Sequence, residues 1–214
     1  LLRAAAKNFP YVLVIVDPND YSWVAEGLVN GSITKAERQY LAYKAFHHVS
    51  CYDTAIAQYL SDKDEPMPPT LNITIEKVLN LRYGENPHQK GALYAPLTGS
   101  GGLPRAQQLH GRELSFNNLM DANSAWQVVQ EFTDPSVAIV KHTNPCGLAC
   151  HANQTEAYAR AYSGDPISAF GGIVGFNSTV TIDTARELSK IFYEVLIAPD
   201  YELEALALLK QKRN

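Results

Sequence analysis

Four short apolar runs constrain this chain more than any other feature: YVLVIV at 11–16, VAIV at 137–140, IVGF at 173–176 and VLIA at 195–198. Each is rich in β-branched residues, too short for a buried helix, and most are separated from the next by stretches with helical spacing. That alternation predicts an α/β fold, a sheet covered by helices on both faces. YVLVIV, closed by Asp17-Pro18, reads as a buried strand of the parallel type. LNITIEK at 71–77 alternates apolar and polar residues and reads as a half-buried strand.

The helices follow from their local signals. The opening LLRAAAK is made of strong helix formers and reads as the end of a helix. A second helix is predicted over 21–28, stopped by Asn30-Gly31. Thr34 and Glu37 have capping-box spacing. They precede Leu41, Ala45, Val49, Tyr52, Ile56 and Tyr59, the stripe of one amphipathic helix ending near Leu60. SDKDEPMPPT at 61–70 cannot continue that helix and reads as a linker between two domains. Beyond it, helices are predicted over 119–132, 156–162 and 184–192, alternating with strands over 137–141, 172–176 and 195–198 and followed by a final helix.

Composition removes several function classes. Of 214 residues 46% are hydrophobic, the net charge is −4, and no basic cluster is denser than the closing KQKRN, so a nucleic-acid partner is not expected. The longest apolar run, 11–16, is far short of the roughly 20 residues that cross a bilayer, so no membrane span is expected. Three cysteines cannot close a disulfide framework, and a reducing, cytoplasmic setting is expected.

In α/β sheets ligands collect at strand ends, which draws attention to the polar residues flanking the runs. Lys141-His142 directly follows VAIV. A cation beside an imidazole favours its neutral form, able to accept a proton, while the ammonium can steady charge on an acyl oxygen. The alternative is a solvated lysine and a histidine bonded to a turn. Thr143-Asn144-Pro145-Cys146-Gly147 reads as a tight reversal. Arg82-Tyr83 opens a polar loop in which the guanidinium could grip a phosphate. Asn117-Asn118 could cap a helix, and Gly171-Gly172 could turn backbone N–H groups toward an anion. Cys146 and Cys150 are separated by three residues rather than the two of zinc nucleobase deaminases, with no His-x-Glu upstream, and His47, His48 and Cys51 read as a wet helix face; no metal is expected.

Taken together, LRYGENPHQ, LSFNNLMDANSAW, VKHTNPCGLA, DPISAFGGIVGFN and EVLIAP resemble, in order and spacing, the bifunctional purine biosynthesis enzymes that combine AICAR transformylase with IMP cyclohydrolase. The opening LLRAAAKNFPYVLVIVDPNDY is similar to the end of their cyclohydrolase domain. The resemblance implies transfer of a formyl group from 10-formyltetrahydrofolate to the amine of AICAR, giving FAICAR, and ring closure to IMP in the other domain. His142 matches the family's base, Lys141 its transition-state stabiliser, and Lys7 a catalytic lysine of the cyclohydrolase. Arg82, Tyr83, Asn118, Gly171 and Glu194 match nucleotide-binding positions.

The linker divides the chain at 1–66 and 67–214, and the resemblance implies what the two parts are. The first part would be the tail of a methylglyoxal-synthase-like α/β domain, the second a partial cytidine-deaminase-like α/β domain without zinc. A homodimer is implied as well. The family's upstream cyclohydrolase motifs and the second half of its transformylase domain have no counterpart here, so an internal fragment, inactive by itself, is expected. The competing expectation is a nucleotide-binding or oligomerising module that performs no reaction.

Overall fold

The computed structural model describes residues 1–61, 67–97 and 101–212. It divides into two compact units, Leu1–Thr74 and Ile75–Asn214. Part of the expected linker, residues 62–66, lies outside the described residues.

Among the described residues the first unit contains three α-helices and a short 3-10 turn, Pro18–Asp20. Helix α1 (Leu2–Lys7) is followed by the YVLVIV segment, then α2 (Tyr21–Asn30) and α3 (Lys35–Leu60). Thr34 and Glu37 form the expected capping box at the start of α3, and Gly31 closes α2 in the left-handed conformation. Ala6, Val14, Ala42 and Ala45 make the small core, with Phe9 and Val16 against it. Two expectations are corrected here. YVLVIV is not a strand, because a strand needs a hydrogen-bonded neighbour and none is present for it among the described residues. The apolar stripe of α3 is buried only at its N-terminal end: Leu41 and Ala45 are covered, whereas Tyr52 and Tyr59 are exposed.

The second unit opens with an antiparallel pair, β1 (Ile75–Leu81) and β2 (Gly91–Pro96). The strand expected over 71–77 thus lies four residues later, where β2 supplies partners from Pro96 back to Gly91. Most of β1 is exposed rather than half-buried. Helix α4 (Phe116–Gln130) leads into a four-stranded sheet in the order β4-β3-β5-β6. Its strands are β3 (Ser136–Lys141), β4 (Asn144–Cys150), β5 (Ile173–Phe176) and β6 (Val195–Ile197). Strand β3 runs antiparallel to both β4 and β5, and only β5 and β6 are parallel. The fold is therefore α/β with a mixed sheet.

The period-two alternation of β3 explains the layers. Ala138 and Val140 face Ala122, Ala125 and Val129 of α4. Val137 and Ile139 face the opposite way, into a core with Val174, Phe176 and the helices α5 (Gln154–Gly164), α7 (Ile182–Ser189) and α8 (Leu203–Leu209). A short helix, α6 (Pro166–Ala169), precedes β5. The expected reversal at 143–147 is also corrected, since residues 144–150 are strand β4 and the chain turns one step earlier, at His142-Thr143. Cys146 is the extra residue of a bulge, with Gly147 opposite Ile139 and Pro145 opposite Val140.

Candidate functional site

The site is built around the N-terminal half of α4. Ser115, not Asn117 or Asn118, is the N-cap of this helix. Its hydroxyl accepts from the Asn118 backbone N–H at 3.2 Å, and Asn118 Oδ1 accepts from the Ser115 N–H at 3.1 Å, a capping box. This leaves the Asn118 Nδ2 donor free to point away from the cap, where it donates to Glu194 Oε2 at 2.7 Å. Asn118 is 8% exposed, so its amide is held from both ends.

The polar loop beginning at Arg82 folds against the same helix end. Arg82 N–H donates to Leu114 O at 2.9 Å, Phe116 N–H to Tyr83 O at 3.2 Å, and Asn117 Nδ2 to Glu85 O at 3.2 Å. The Arg82 guanidinium lies 4.8 Å from the centre of the Tyr83 ring and donates to its hydroxyl at 3.2 Å. Arg82, Asn118 and Glu194 then line one cleft of about 220 Å³, together with Arg112, Glu113, Leu114 and Phe192. A larger hollow of about 490 Å³ adjoins it under β6 and shares the Arg112, Leu114 and Glu194 walls.

Gly171 lies beside this cleft through Phe192. Its φ of +73° is a left-handed value, and its N–H donates to Phe192 O at 3.0 Å. Gly172 N–H donates to Ala169 O at 3.0 Å, so both amides of the bend are used internally and neither is turned to an anion. Gly172 O accepts from the Glu194 N–H at 3.0 Å, which fixes the Glu194 backbone at the start of β6.

Lys141 ends β3, and its Nζ donates to Phe170 O at 3.0 Å, next to Gly171. His142 occupies the hairpin turn that follows, with φ 53°. The turn's two amides are received by Asp121, a residue of α4 one helical turn beyond Asn118. Asp121 is not among the residues expected from the sequence; its one signal there is the i, i+3 spacing from Asn118 on the face that also buries Ala122 and Ala125. Arg112 lines the cleft as well, and nothing local in the sequence separates it from an ordinary surface arginine. Lys7 belongs to the first unit, where it is exposed in the last turn of α1.

The cysteines take no part in this cluster of hydrogen bonds. Burial, and next the Asp165 charge, push the Cys146 thiol above its ordinary value. Cys150 Sγ accepts from Ser136 Oγ at 3.1 Å, and Cys51 lies 3.9 Å from His47 Nδ1. Among the described residues no three His, Cys, Asp or Glu side chains converge as metal ligands, and no helix is long and apolar enough to cross a membrane.

Comparison with known proteins places this sequence in a family. The family described as AICARFT/IMPCHase bienzyme matches residues 5–214. The bifunctional purine biosynthesis protein PurH of Thermoanaerobacter sp. (strain X514) is 50% identical over 216 residues, covering 100% of this chain and 42% of its own length. The proteins of that name from Aquifex aeolicus (strain VF5) and Dictyostelium discoideum are 49% and 47% identical over the whole chain, which covers 43% and 45% of their lengths. The chain thus spans less than half the length of these relatives. A match over nearly every residue, including the cleft and the turn that carries His142, means that this chain belongs to the AICARFT/IMPCHase bienzyme family.

Proposed function

We propose that the second unit supplies the nucleotide-side half of a formyl-transfer site, which passes the formyl group of 10-formyltetrahydrofolate to the amine of AICAR and yields FAICAR. Cyclisation to IMP would follow in the cyclohydrolase domain, to which residues 1–66 contribute the C-terminal part and Lys7 a catalytic side chain; residues 67–214 form the N-terminal part of the transformylase domain. The first part is read as methylglyoxal-synthase-like and the second as cytidine-deaminase-like. The whole protein is read as a cytoplasmic homodimer.

One observation carries the reading. Arg82, Asn118 and Glu194 line a single cleft, and one helical turn along α4 from Asn118 the Asp121 carboxylate holds the turn bearing His142. Arg82 offers a bidentate cation for the nucleotide phosphate, backed by Tyr83. Glu194 offers an acceptor for ribose or exocyclic donors, and Gly171, whose bend packs on Phe192 of the cleft wall, is read as a further nucleotide contact.

The chemistry then needs little more. The aminoimidazole amine is a poor nucleophile because its lone pair is delocalised, so its proton must leave as it attacks the formyl carbon. His142 takes that proton. Charge grows on the formyl oxygen, where Lys141 stabilises it; an ammonium has three donors and can keep Phe170 O while offering the others. Collapse expels the folate nitrogen, and the proton on His142 returns to it.

The test is His142→Ala in the whole protein. Formyl transfer should fall by about 10²–10⁴-fold, the usual worth of a positioned base, while AICAR still binds. Unchanged turnover would overturn the assignment, and binding without turnover in the unmutated protein would favour a non-catalytic nucleotide-binding module.

A further inference from the structure

His142 and Thr143 have φ values of 53° and 63°, and they are the non-glycine residues with positive φ among those described. They form the two central positions of the turn joining β3 to β4, in which Lys141 pairs with Asn144. Two-residue hairpin turns of this hand select Asn-Gly, because at positive φ the Cβ itself crowds the following carbonyl oxygen, which glycine avoids and the short, locally bonding asparagine tolerates. The β-branched Thr143 is the poor fit for it, since branching at Cβ makes positive φ a true outlier, whereas histidine tolerates that region better. Such a conformation persists only where its surroundings enforce it.

The enforcing group is the Asp121 carboxylate. Its Oδ2 accepts from the His142 N–H at 3.2 Å and its Oδ1 from the Thr143 N–H at 2.7 Å. Each is a charge-assisted bond, and together they receive both central amides of the turn. On the other side His142 O accepts from Thr143 Oγ1 at 2.7 Å and from Asn144 Nδ2 at 2.9 Å. These contacts are local to the turn, whereas Asp121 ties it to α4. Because Asn118 of the same helix holds Glu194, α4 fixes the distance from the nucleotide-facing pair to the backbone of His142.

We infer that Asp121 is a positioning residue, which clamps an otherwise disfavoured turn so that His142 faces the reacting amine. This rests on the reading of His142 as the base. Asp121→Asn keeps the shape but leaves only one acceptor oxygen for two N–H groups. In the whole protein it should speed hydrogen exchange at the His142 and Thr143 amides and lower kcat by about 100-fold, with KM for AICAR held within about threefold. Adding Thr143→Gly, which suits positive φ, should recover much of that loss. A turn residue of purely structural value would change the melting temperature without this split or this rescue.

The two readings fail separately. If His142→Ala abolishes turnover but Asp121→Asn leaves kcat and both amides unchanged, the role of Asp121 is overturned alone. If turnover survives His142→Ala, the assignment of the base falls and the positioning role goes with it.

Discussion

Asn118 Nδ2 donates to Glu194 Oε2 at 2.7 Å, joining residues 76 apart in the chain. The contact couples the start of α4 to the start of β6, and its direction is set by the cap: with Oδ1 occupied by Ser115, only the amide nitrogen faces the carboxylate. A helix-capping residue is thereby also a wall of the cleft. The residue that completes the helix end therefore also orients the Glu194 carboxylate at the wall of the cleft.

Asn118→Asp separates these two duties. The carboxylate still caps, but an acceptor then faces Glu194 and two like charges meet. The expected cost is about 1 kcal/mol, modest because Glu194 is exposed. Adding Glu194→Gln restores a donor to the pair. A denaturant double-mutant cycle should return a coupling of roughly 1 kcal/mol. Additive effects of the two changes would mean that the bond contributes nothing to folding.

How much of this was legible depended on how far apart the interacting residues lie. The Thr34–Glu37 capping box was readable because its partners are three residues apart. VAIV, IVGF and VLIA declared themselves as strands through local β-branched composition. YVLVIV has the same composition without becoming a strand, since the deciding fact is a neighbour rather than a residue type. Pro145 and Gly147 suggested a turn, yet they sit in an edge strand where a missing N–H is tolerated and a missing side chain is required. In the site, Lys141 and His142 stood out as a pair. Asp121 did not, because its partners lie in a hairpin some 21 residues further on and its role exists only once that hairpin has closed.

Gly147 is required by close approach of helix and strand. A Cβ at this position would lie 1.8 Å from Ala161 O and 2.7 Å from its carbonyl carbon, and backbone cannot step aside as a side chain would. Gly147→Ala must therefore push α5 off β4, with a loss of about 3 kcal/mol in urea unfolding. The displacement would also reach the far end of the hairpin that holds His142. A loss below about 0.5 kcal/mol would show that the two elements separate freely and that their packing does not support the turn.

In the first unit Lys44 Nζ bridges Asp17 Oδ2 at 2.5 Å and Asp20 Oδ2 at 2.6 Å, tying α3 to the segment before α2. The hydrogen bond from Lys44, and next that from the Asn19 N–H, hold the Asp17 carboxyl below its ordinary 3.8. The bonds from Asp17 and then Asp20 raise Lys44 above its ordinary 10.5. A depressed carboxyl contributes stability that is present above its unfolded value and disappears as pH falls through the folded one. A raised ammonium contributes stability that is full below 10.5 and disappears only as pH climbs through its higher folded value. The bridge is therefore constant through neutrality and fails in acid below pH 3.8, as Asp17 is protonated. Lys44→Met should return the Asp17 titration, followed by carboxyl carbon NMR, toward 3.8 and move the acid-unfolding midpoint of the chain upward. An Asp17 titration that stays depressed in that variant would assign the shift to the Asn19 amide instead.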